Sequence, residues 1–358
     1  MTSIWDPIQV GNMALRHRFA MAPMTRGRAQ ADGTPSALAA EYYGQRAAFG
    51  LLISEGTQPS DDGQGYLDTP GLYTDDHVAG WRRVVDRVHA GGGHLFVQLM
   101  HVGRMSHPDN TPHHRQPVAP SAILPNEKMF TAGGMRDIPE PRALTVGEIA
   151  ATVENFAHAA RQAVAAGADG IEIHAANGYL IQQFLAPNAN ERSDRYGGRI
   201  GNRIRFALEV ASAVSEAIGP GRTGIRISPG SMLGGIDEGP EGPALYRQLV
   251  PALAELGLVY LHVAHGGNED LLGEIRRLWP NALLVARPNR PLEKAAADVE
   301  AGLADMAPVG RWALANPDFV DRFRYAAPLN EPDPATFYGG GATGYTDYPT
   351  LGRSVAAA

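Results

Sequence analysis

One short segment of the chain, residues 171–184, contains three side chains that could act on the same substrate. An alternating apolar and polar pattern predicts a strand that ends near His174, with Asn177-Gly178 as the turn beyond it. His174 and Asn177 could stabilise one substrate oxygen on which negative charge develops. Tyr179 could supply a proton to a carbanion-like centre if its hydroxyl faces the same place. Alternatively, His174 and Asn177 only satisfy local backbone groups, and the Tyr179 hydroxyl lies in water.

Polar residues stand at the ends of other predicted strands as well, at Thr25 and Gln98. Arg226 lies within an apolar strand, where an arginine needs an anionic partner, either a protein carboxylate or a ligand. Gly310 and Arg311 follow the last predicted strand, which is a frequent phosphate site in barrels. A simple turn and a surface ion pair would also explain these two residues.

Eight repeats of a strand followed by a helix would position these side chains. The predicted strands begin near residues 18, 51, 94, 171, 224, 259, 283 and 306. The pattern predicts a single α/β domain over residues 1–358, a (β/α)8 TIM barrel, in which all strand ends meet at one mouth. A doubly wound sheet is disfavoured because no G-x-G-x-x-G follows an early strand.

Capping residues predict where several helices begin. The helix starts predicted in this way are Thr34-Pro35, the capping box of Thr145 and Glu148, and Asn316-Pro317.

Two segments are expected to lie near the mouth. Residues 103–144, which follow the third strand, are rich in Pro and His and show no sustained periodicity. Because long segments of this kind are usually functional, we expect a lid. Residues 337–351 read FYGGGATGYTDYPTL, which is too aromatic for an ordinary disordered end, and we expect this tail to fold back near the site.

The composition excludes several classes of function. The chain has 358 residues, 44% of them hydrophobic, and a net charge of −7 without a basic stripe, so neither a nucleic acid nor a membrane surface is an expected partner. The absence of cysteine excludes disulfides, thiol nucleophiles and iron–sulfur clusters. The histidines at 113–114 and at 262 and 265 lack a third metal ligand in register. With no signal-peptide pattern and no apolar run of membrane-spanning length, we expect a cytoplasmic location.

Many motifs along the chain resemble those of the Old Yellow Enzyme family of FMN-dependent ene-reductases, in particular its bacterial alkene, N-ethylmaleimide and nitrate-ester reductases. The similarity extends almost from end to end. It is carried by MAPMTR (21–26), ISEGTQ (53–58), FVQLMHVGR (96–104), IEIHAANGYLIQQFL (171–185), ERSDRYGG (191–198), GIRISP (224–229), GRWALANPD (310–318) and FYGGGATGYTDYPTL (337–351).

The resemblance implies FMN as a bound cofactor. Thr25 matches the residue that bonds the flavin C4 carbonyl, and Gln98 matches the side chain that contacts the pyrimidine edge. Arg226 matches the cation near flavin N1, where the reduced ring is negatively charged. The other implied cofactor contacts, to the ring or the phosphate, are Pro23, Met24, Gly56, Asn289, Gly310 and Arg311.

The resemblance also implies a ping-pong reaction. NAD(P)H reduces FMN and leaves, and an enone, a maleimide or a nitro or nitrate-ester compound takes its place. His174 and Asn177 would hold the activating oxygen while hydride passes from flavin N5 to the β-carbon, and Tyr179 would protonate the α-carbon. The remaining substrate contacts are expected at Tyr66, Met100 and Tyr338. The protein is expected to be a monomer or a dimer.

The chain departs from the family pattern in three places. Pro288 offers no N–H to a phosphate, so Asn289 and nearby arginines would have to compensate. Met100 replaces a frequent tryptophan and should soften one wall of the substrate pocket. The loop at 231–239 adds glycine near the mouth.

Two other readings of the barrel remain. A phosphate-binding aldolase or isomerase would usually require a strand-end lysine or paired carboxylates, and the mouth residues include neither. A non-catalytic flavin-binding or steroid-binding barrel would hold its ligand without turnover.

Overall fold

Eight parallel strands form a closed barrel in the computed structural model, which describes residues 2–288 and 290–354. The barrel strands are β1 (Phe19–Met21), β2 (Leu51–Ile53), β3 (Leu95–Leu99), β4 (Gly170–Ala175), β5 (Thr223–Ile227), β6 (Tyr260–Ala264), β7 (Ala282–Ala286) and β8 (Ala307–Val309). Consecutive strands from β1 to β7 pair with one another, and β8 pairs with β1. A bridge between Leu284 and Met306 joins the last two strands. The predicted (β/α)8 barrel is therefore confirmed.

Helices cover the outside of the barrel. Their bounds are α1 (Ala37–Gly44), α2 (Asp75–Ala90), α3 (Val146–Ala165), α4 (Leu180–Leu185), α5 (Ile200–Arg203), α6 (Arg205–Ile218), α7 (Gly242–Ala254), α8 (Glu269–Leu278), α9 (Ala297–Glu300), α10 (Arg311–Ala315), α11 (Phe319–Arg324) and α12 (Leu351–Ser354). Among the described residues, no helix has the length and apolar character needed to cross a membrane.

The N-terminal end of the barrel is filled by apolar side chains, so the polar residues are confined to the other end. Phe96 and Tyr260 project inward, and a Cβ on Gly170 or Gly224 would lie within 2.5 Å of one of their rings. A hairpin that the sequence analysis did not predict, formed by Ile8–Val10 and Met13–Leu15, packs against this layer. Because the bottom is plugged, ligands have access from the C-terminal mouth.

The predicted start of α1 is wrong by two residues. Ser36, rather than Thr34, occupies the N-cap, and the helix begins at Ala37. Thr34 is held in the preceding turn, where its N–H donates to Oδ1 of Asp32 (2.8 Å). Pro35 therefore lies before the helix, and its carbonyl accepts a hydrogen bond from Arg83 (3.2 Å).

The predicted cap at Asn316 is also wrong, because this residue ends α10 instead of starting the next helix. Its Nδ2 donates to the carbonyl of Trp312 (2.9 Å), and its Oδ1 accepts the N–H of Asn330 (2.7 Å). Asp318 occupies the N-cap of α11. In contrast, the capping box of Thr145 and Glu148 is confirmed at the start of α3.

The segment after β3 contains more regular structure than its sequence indicates. Residues Lys128–Thr131 and Gly134–Asp137 form an antiparallel hairpin. Val118–Ala119 and Arg142–Ala143 form a short parallel pair that joins the interior of the segment to its C-terminal end. The hairpin was missed because it is mostly exposed, so its sequence lacks an apolar face.

Candidate active site

A cavity of about 520 Å³ opens at the C-terminal ends of the strands. Its wall is built from the residues after β1, β4, β7 and β8, from β5 itself and from the C-terminal tail. The predicted site residues that line it are Pro23, Met24, Thr25, Asn177, Arg226, Gly310, Arg311 and Tyr338. Residues that are far apart in sequence, such as Pro23 and Tyr338 at a separation of 315 positions, thus meet at one mouth because parallel strands end on the same side.

The other predicted residues do not line this cavity directly. They are Gly56, Gln98, His174, Tyr179, Tyr66 and Met100. Asn289 lies outside the described residues.

His174 is neutral and has a defined tautomer. It is buried on β4, in register with Arg226 on β5. Burial, and the nearby charge of Arg226, lower the pKa of His174 well below its usual range. The N–H of Ala176 donates to Nδ1 (3.3 Å), so the ring proton resides on Nε2. His174 can therefore offer a hydrogen bond to a ligand without carrying a charge.

Tyr179 is placed beside this imidazole. The two rings meet edge to face with centroids 5.0 Å apart. The Tyr179 hydroxyl lies 3.1 Å from that of Tyr66. Burial raises the pKa of Tyr179 well above its usual value, and the proximity of Tyr66 raises it further, so the phenol keeps its proton at neutral pH. Met100 belongs to the apolar cluster against which both tyrosines pack.

A polar network holds the turn that presents Asn177. This residue has a φ of +56°, in the left-handed region that asparagine tolerates. Its N–H donates to Oγ of Ser228 (2.8 Å), which in turn donates to Oε1 of Gln182 (3.1 Å). Gln182 donates to Glu238 (2.8 Å), a buried carboxylate that also accepts from the Tyr246 hydroxyl (2.5 Å). Sequence reasoning missed these supports because they lie 51 or more residues beyond the turn, apart from Gln182.

A second network that was missed lies deeper in the barrel. Nε2 of Gln98 donates to Oε1 of Glu172 (2.7 Å), and Nδ1 of His262 lies 2.9 Å from the other carboxylate oxygen. Arg226 reaches the cavity from the neighbouring strand, and its buried Nε has no hydrogen-bond partner among the described residues. A buried guanidinium beside a cavity, with no ion pair to another described residue, fits an anionic or carbonyl-bearing ligand. The period-two alternation of β4 was the available signal for Glu172, because it places Glu172 on the inner face with His174.

The far end of the cavity carries an available positive charge. Gly310 precedes α10, and the guanidinium of Arg311 is exposed and forms no ion pair with another described residue. Arg287 is committed elsewhere, because it pairs with Glu269 (2.5 Å) and Asp298 (2.6 Å). Arg290 pairs with the same aspartate as Arg287 (2.9 Å). Of these three arginines, only Arg311 is therefore free to meet an anion.

The C-terminal tail is anchored to the loop after β1 by two arginines. Arg26 is fully buried and donates to the carbonyls of Phe337 (2.9 Å) and Gly344 (2.9 Å). Arg28 donates to the carbonyls of Thr336 (2.9 Å) and Gly341 (3.0 Å). These bonds hold the intervening segment, which carries Tyr338, at the edge of the cavity.

A barrel with polar and cationic groups gathered in one cavity at its C-terminal mouth is the architecture of an enzyme that binds a sizeable anionic ligand. Comparison with known proteins gives the family. Residues 3–330 match the model of the NADH:flavin oxidoreductase / NADH oxidase family, and the chain belongs to that family.

Relatives of known name agree with this assignment. A probable flavin mononucleotide-dependent alkene reductase from Leishmania infantum is 42% identical over 357 residues, covering 96% of both chains. The structure of morphinone reductase in complex with tetrahydroNAD has 43% identity and a TM-score of 0.93, covering 98% of both chains. An old yellow enzyme homologue from Zymomonas mobilis has 38% identity and a TM-score of 0.93, covering 98% of this chain and 100% of that one. The predicted enzyme class, an NAD(P)H-dependent FMN ene-reductase of the Old Yellow Enzyme type, is confirmed.

Proposed function

We propose that the cavity binds FMN and that His174, Asn177 and Tyr179 bind and protonate alkenes activated by a carbonyl or nitro group. The observation that carries this proposal is the arrangement of Asn177, Arg226 and Arg311 around one 520 Å³ cavity. Its size is in the range of cofactor sites. When bound, FMN supplies the hydride chemistry that none of these side chains can perform.

The residues present fit this cofactor. Arg226 supplies an unpaired buried N–H for the flavin ring, and Arg311 supplies an uncompensated charge for the phosphate. Thr25, Gln98 and the backbone of Pro23, Met24 and Gly56 are the remaining proposed ring contacts. Gly310 precedes the first turn of α10, where backbone N–H groups are available to a phosphate oxygen.

His174 and Asn177 are proposed to bind the activating oxygen of the substrate. The neutral imidazole with its proton on Nε2 is a donor, and the Asn177 side chain lines the cavity. Two fixed donors directed at one oxygen stabilise the negative charge that develops there as the C=C bond is reduced. Tyr66, Met100 and Tyr338 are the proposed walls around the substrate.

Tyr179 is proposed to protonate the α-carbon. Its raised pKa keeps the phenol protonated but makes the phenolate costly, which suits transfer to a strongly basic enolate carbon. The Tyr66 hydroxyl, 3.1 Å away, can orient this proton or stabilise the phenolate that remains.

The test is the Tyr179→Phe variant in anaerobic stopped-flow experiments. We expect unchanged reduction by NADH or NADPH and a fall of roughly 100-fold or more in reoxidation by cyclohexenone, the range of a lost general acid. Tyr66→Phe is the matched control. It removes only the neighbouring hydroxyl and should slow reoxidation by cyclohexenone much less. Turnover of every enone at the wild-type rate in Tyr179→Phe would contradict the assignment. Nitroalkenes should be affected least, since their nitronates can be protonated in solution.

The substrate range and the nicotinamide preference are part of the same proposal. We propose that maleimides, nitroalkenes and nitrate esters are accepted in addition to enones, because the binding groups recognise an oxygen and not a particular carbon skeleton. Comparing reduction by NADH and NADPH in the same instrument gives the preference directly. The cytoplasmic location, the monomeric or dimeric state and a lid function for residues 103–144 stay predictions.

A further inference from the structure

Glu172 is a buried carboxylate that the proposed reaction does not use. It lies on the inner face of β4 with no exposed side-chain surface, in register with Gln98 on β3. A buried carboxylate is costly unless its oxygens are hydrogen-bonded. Here Gln98 and His262 bind one oxygen each, at 2.7 and 2.9 Å.

We propose that Glu172 is a positioning residue for the flavin, which fixes the orientation of the Gln98 amide and balances the positive charge of Arg226. The inference rests on the proposed contact of Gln98 with the pyrimidine edge of FMN. In this proposal Glu172 acts through Gln98 and Arg226 and does not itself contact the flavin.

The orientation follows from the chemistry of a carboxylate, which only accepts hydrogen bonds. The amide nitrogen of Gln98 must therefore face Glu172, and the amide oxygen turns away from it. That oxygen has no protein partner among the described hydrogen bonds, so it is available to accept from an imide N–H such as the one on the flavin pyrimidine ring. With an apolar residue at 172, the amide could flip and present the wrong group.

The charge balance follows from the ionisation states. Burial alone would raise the pKa of Glu172, but His262, Arg226 and Gln98 together lower it, so the residue is an anion. Burial lowers the pKa of His262, which is therefore neutral at pH 7. Among Gln98, Glu172, Arg226 and His262, Glu172 is thus the anion and Arg226 is the cation. Removing the anion would leave Arg226 uncompensated and make the cavity more favourable for negatively charged, reduced FMN.

The experiment measures the midpoint potential of the FMN-loaded enzyme and its dissociation constant for oxidised FMN. For Glu172→Gln we expect the preference for reduced over oxidised FMN to rise at least tenfold, a shift of about 30 mV toward positive potential for a two-electron couple. Asp169→Asn is the matched control. It removes a hydrogen-bonded carboxylate that lies immediately before β4, away from the mouth, and should leave the potential unchanged.

A second variant keeps the test decisive if Glu172→Gln does not fold. His262→Asn removes one of the groups that keep Glu172 ionised, so part of the carboxylate charge should be lost and the potential should shift in the same positive direction as in Glu172→Gln, by a smaller amount. A merely structural role for Glu172 predicts no shift of the potential in either variant, and unchanged potentials in the variants that retain FMN would overturn the inference. Gln98→Ala distinguishes a wrong role for Glu172 from a wrong placement of FMN in the cavity. If it leaves the affinity for oxidised FMN unchanged, the flavin placement itself is wrong.

Discussion

At the scale of single residues, Gly56 and Met100 form an interlocking pair. A Cβ added to Gly56 would lie 2.4 Å from Cε and 3.2 Å from Cβ of Met100. Met100 therefore occupies the space that an alanine at position 56 would need. The flexible thioether of Met100 thus fills the volume that the absent side chain of Gly56 leaves.

We expect Gly56→Ala to destabilise the FMN-loaded enzyme by about 1–3 kcal/mol, the usual cost of overpacking. Adding Met100→Ala should relieve the clash, so the double variant should lose less stability than the sum of the single variants. Urea unfolding measures each free energy. Gly147→Ala is the control, because nothing lies within 4 Å of its added Cβ. Strict additivity of Gly56→Ala and Met100→Ala would refute the interlock.

At the scale of elements, the loop after β5 supports the turn after β4. A Cβ on Gly178 would lie 2.1 Å from the carbonyl oxygen of Leu233, so the loop packs directly on the turn and requires glycine there. Ser228 connects the same two elements through its hydrogen bond to the N–H of Asn177 (2.8 Å). The position of Asn177 is consequently set by the loop after β5 as well as by its own turn.

Ser228→Ala should weaken substrate binding while leaving flavin reduction nearly unchanged. The variant removes the acceptor for the Asn177 N–H, at a cost of about 1–3 kcal/mol for a buried donor left unpaired. We expect roughly tenfold lower kcat/KM for cyclohexenone, measured with reduced enzyme under anaerobic conditions. Ser212→Ala is the control, because that hydroxyl only binds exposed Glu216 on α6. A Ser228→Ala enzyme with normal kcat/KM would show that the turn holds Asn177 unaided.

At the scale of the whole molecule, several buried histidines make the fold sensitive to acid. Burial lowers the pKa of His17, His174 and His262, and it lowers that of His101 from 6.5 to about 4. A folded-state pKa below the unfolded one means that the unfolded chain binds more protons between these values. The contribution of these histidines to the free energy of unfolding should therefore be at its full value above about pH 6.5, and it should fall as the pH drops toward 4.

His101→Asn should flatten this dependence. Protonation of His101 should lower the free energy of unfolding by on the order of 3 kcal/mol in full. This follows from the fall of its pKa from 6.5 to about 4, because one pKa unit corresponds to about 1.4 kcal/mol. Asparagine can still accept the hydrogen bond that Gly103 donates to Nδ1 (3.1 Å). The free energy of unfolding, measured between pH 4.5 and 7.5, should vary less in this variant. His114→Asn changes an exposed histidine with a φ of +52°, which asparagine tolerates, and should leave the slope unaltered. If the free energy of unfolding of His101→Asn varied with pH as steeply as that of the wild-type protein, His101 would not be a source of the acid sensitivity.

The sequence by itself determined the barrel, the eight strands and the segment 171–184 with its three candidate side chains, because these depend on local periodicity and on motifs that are contiguous in the chain. Helix starts at Thr34 and Asn316 were wrong, since turn contacts with Asp32 and Asn330 outweighed the local capping preference.

Only the tertiary structure decided which groups support the site. The anion that faces Gln98 and His262, the loop that holds Asn177, and the arginines that anchor the tail are contacts between residues far apart in the chain. Parallel strands bring such residues together in space, and no spacing along the sequence records which partner each one meets.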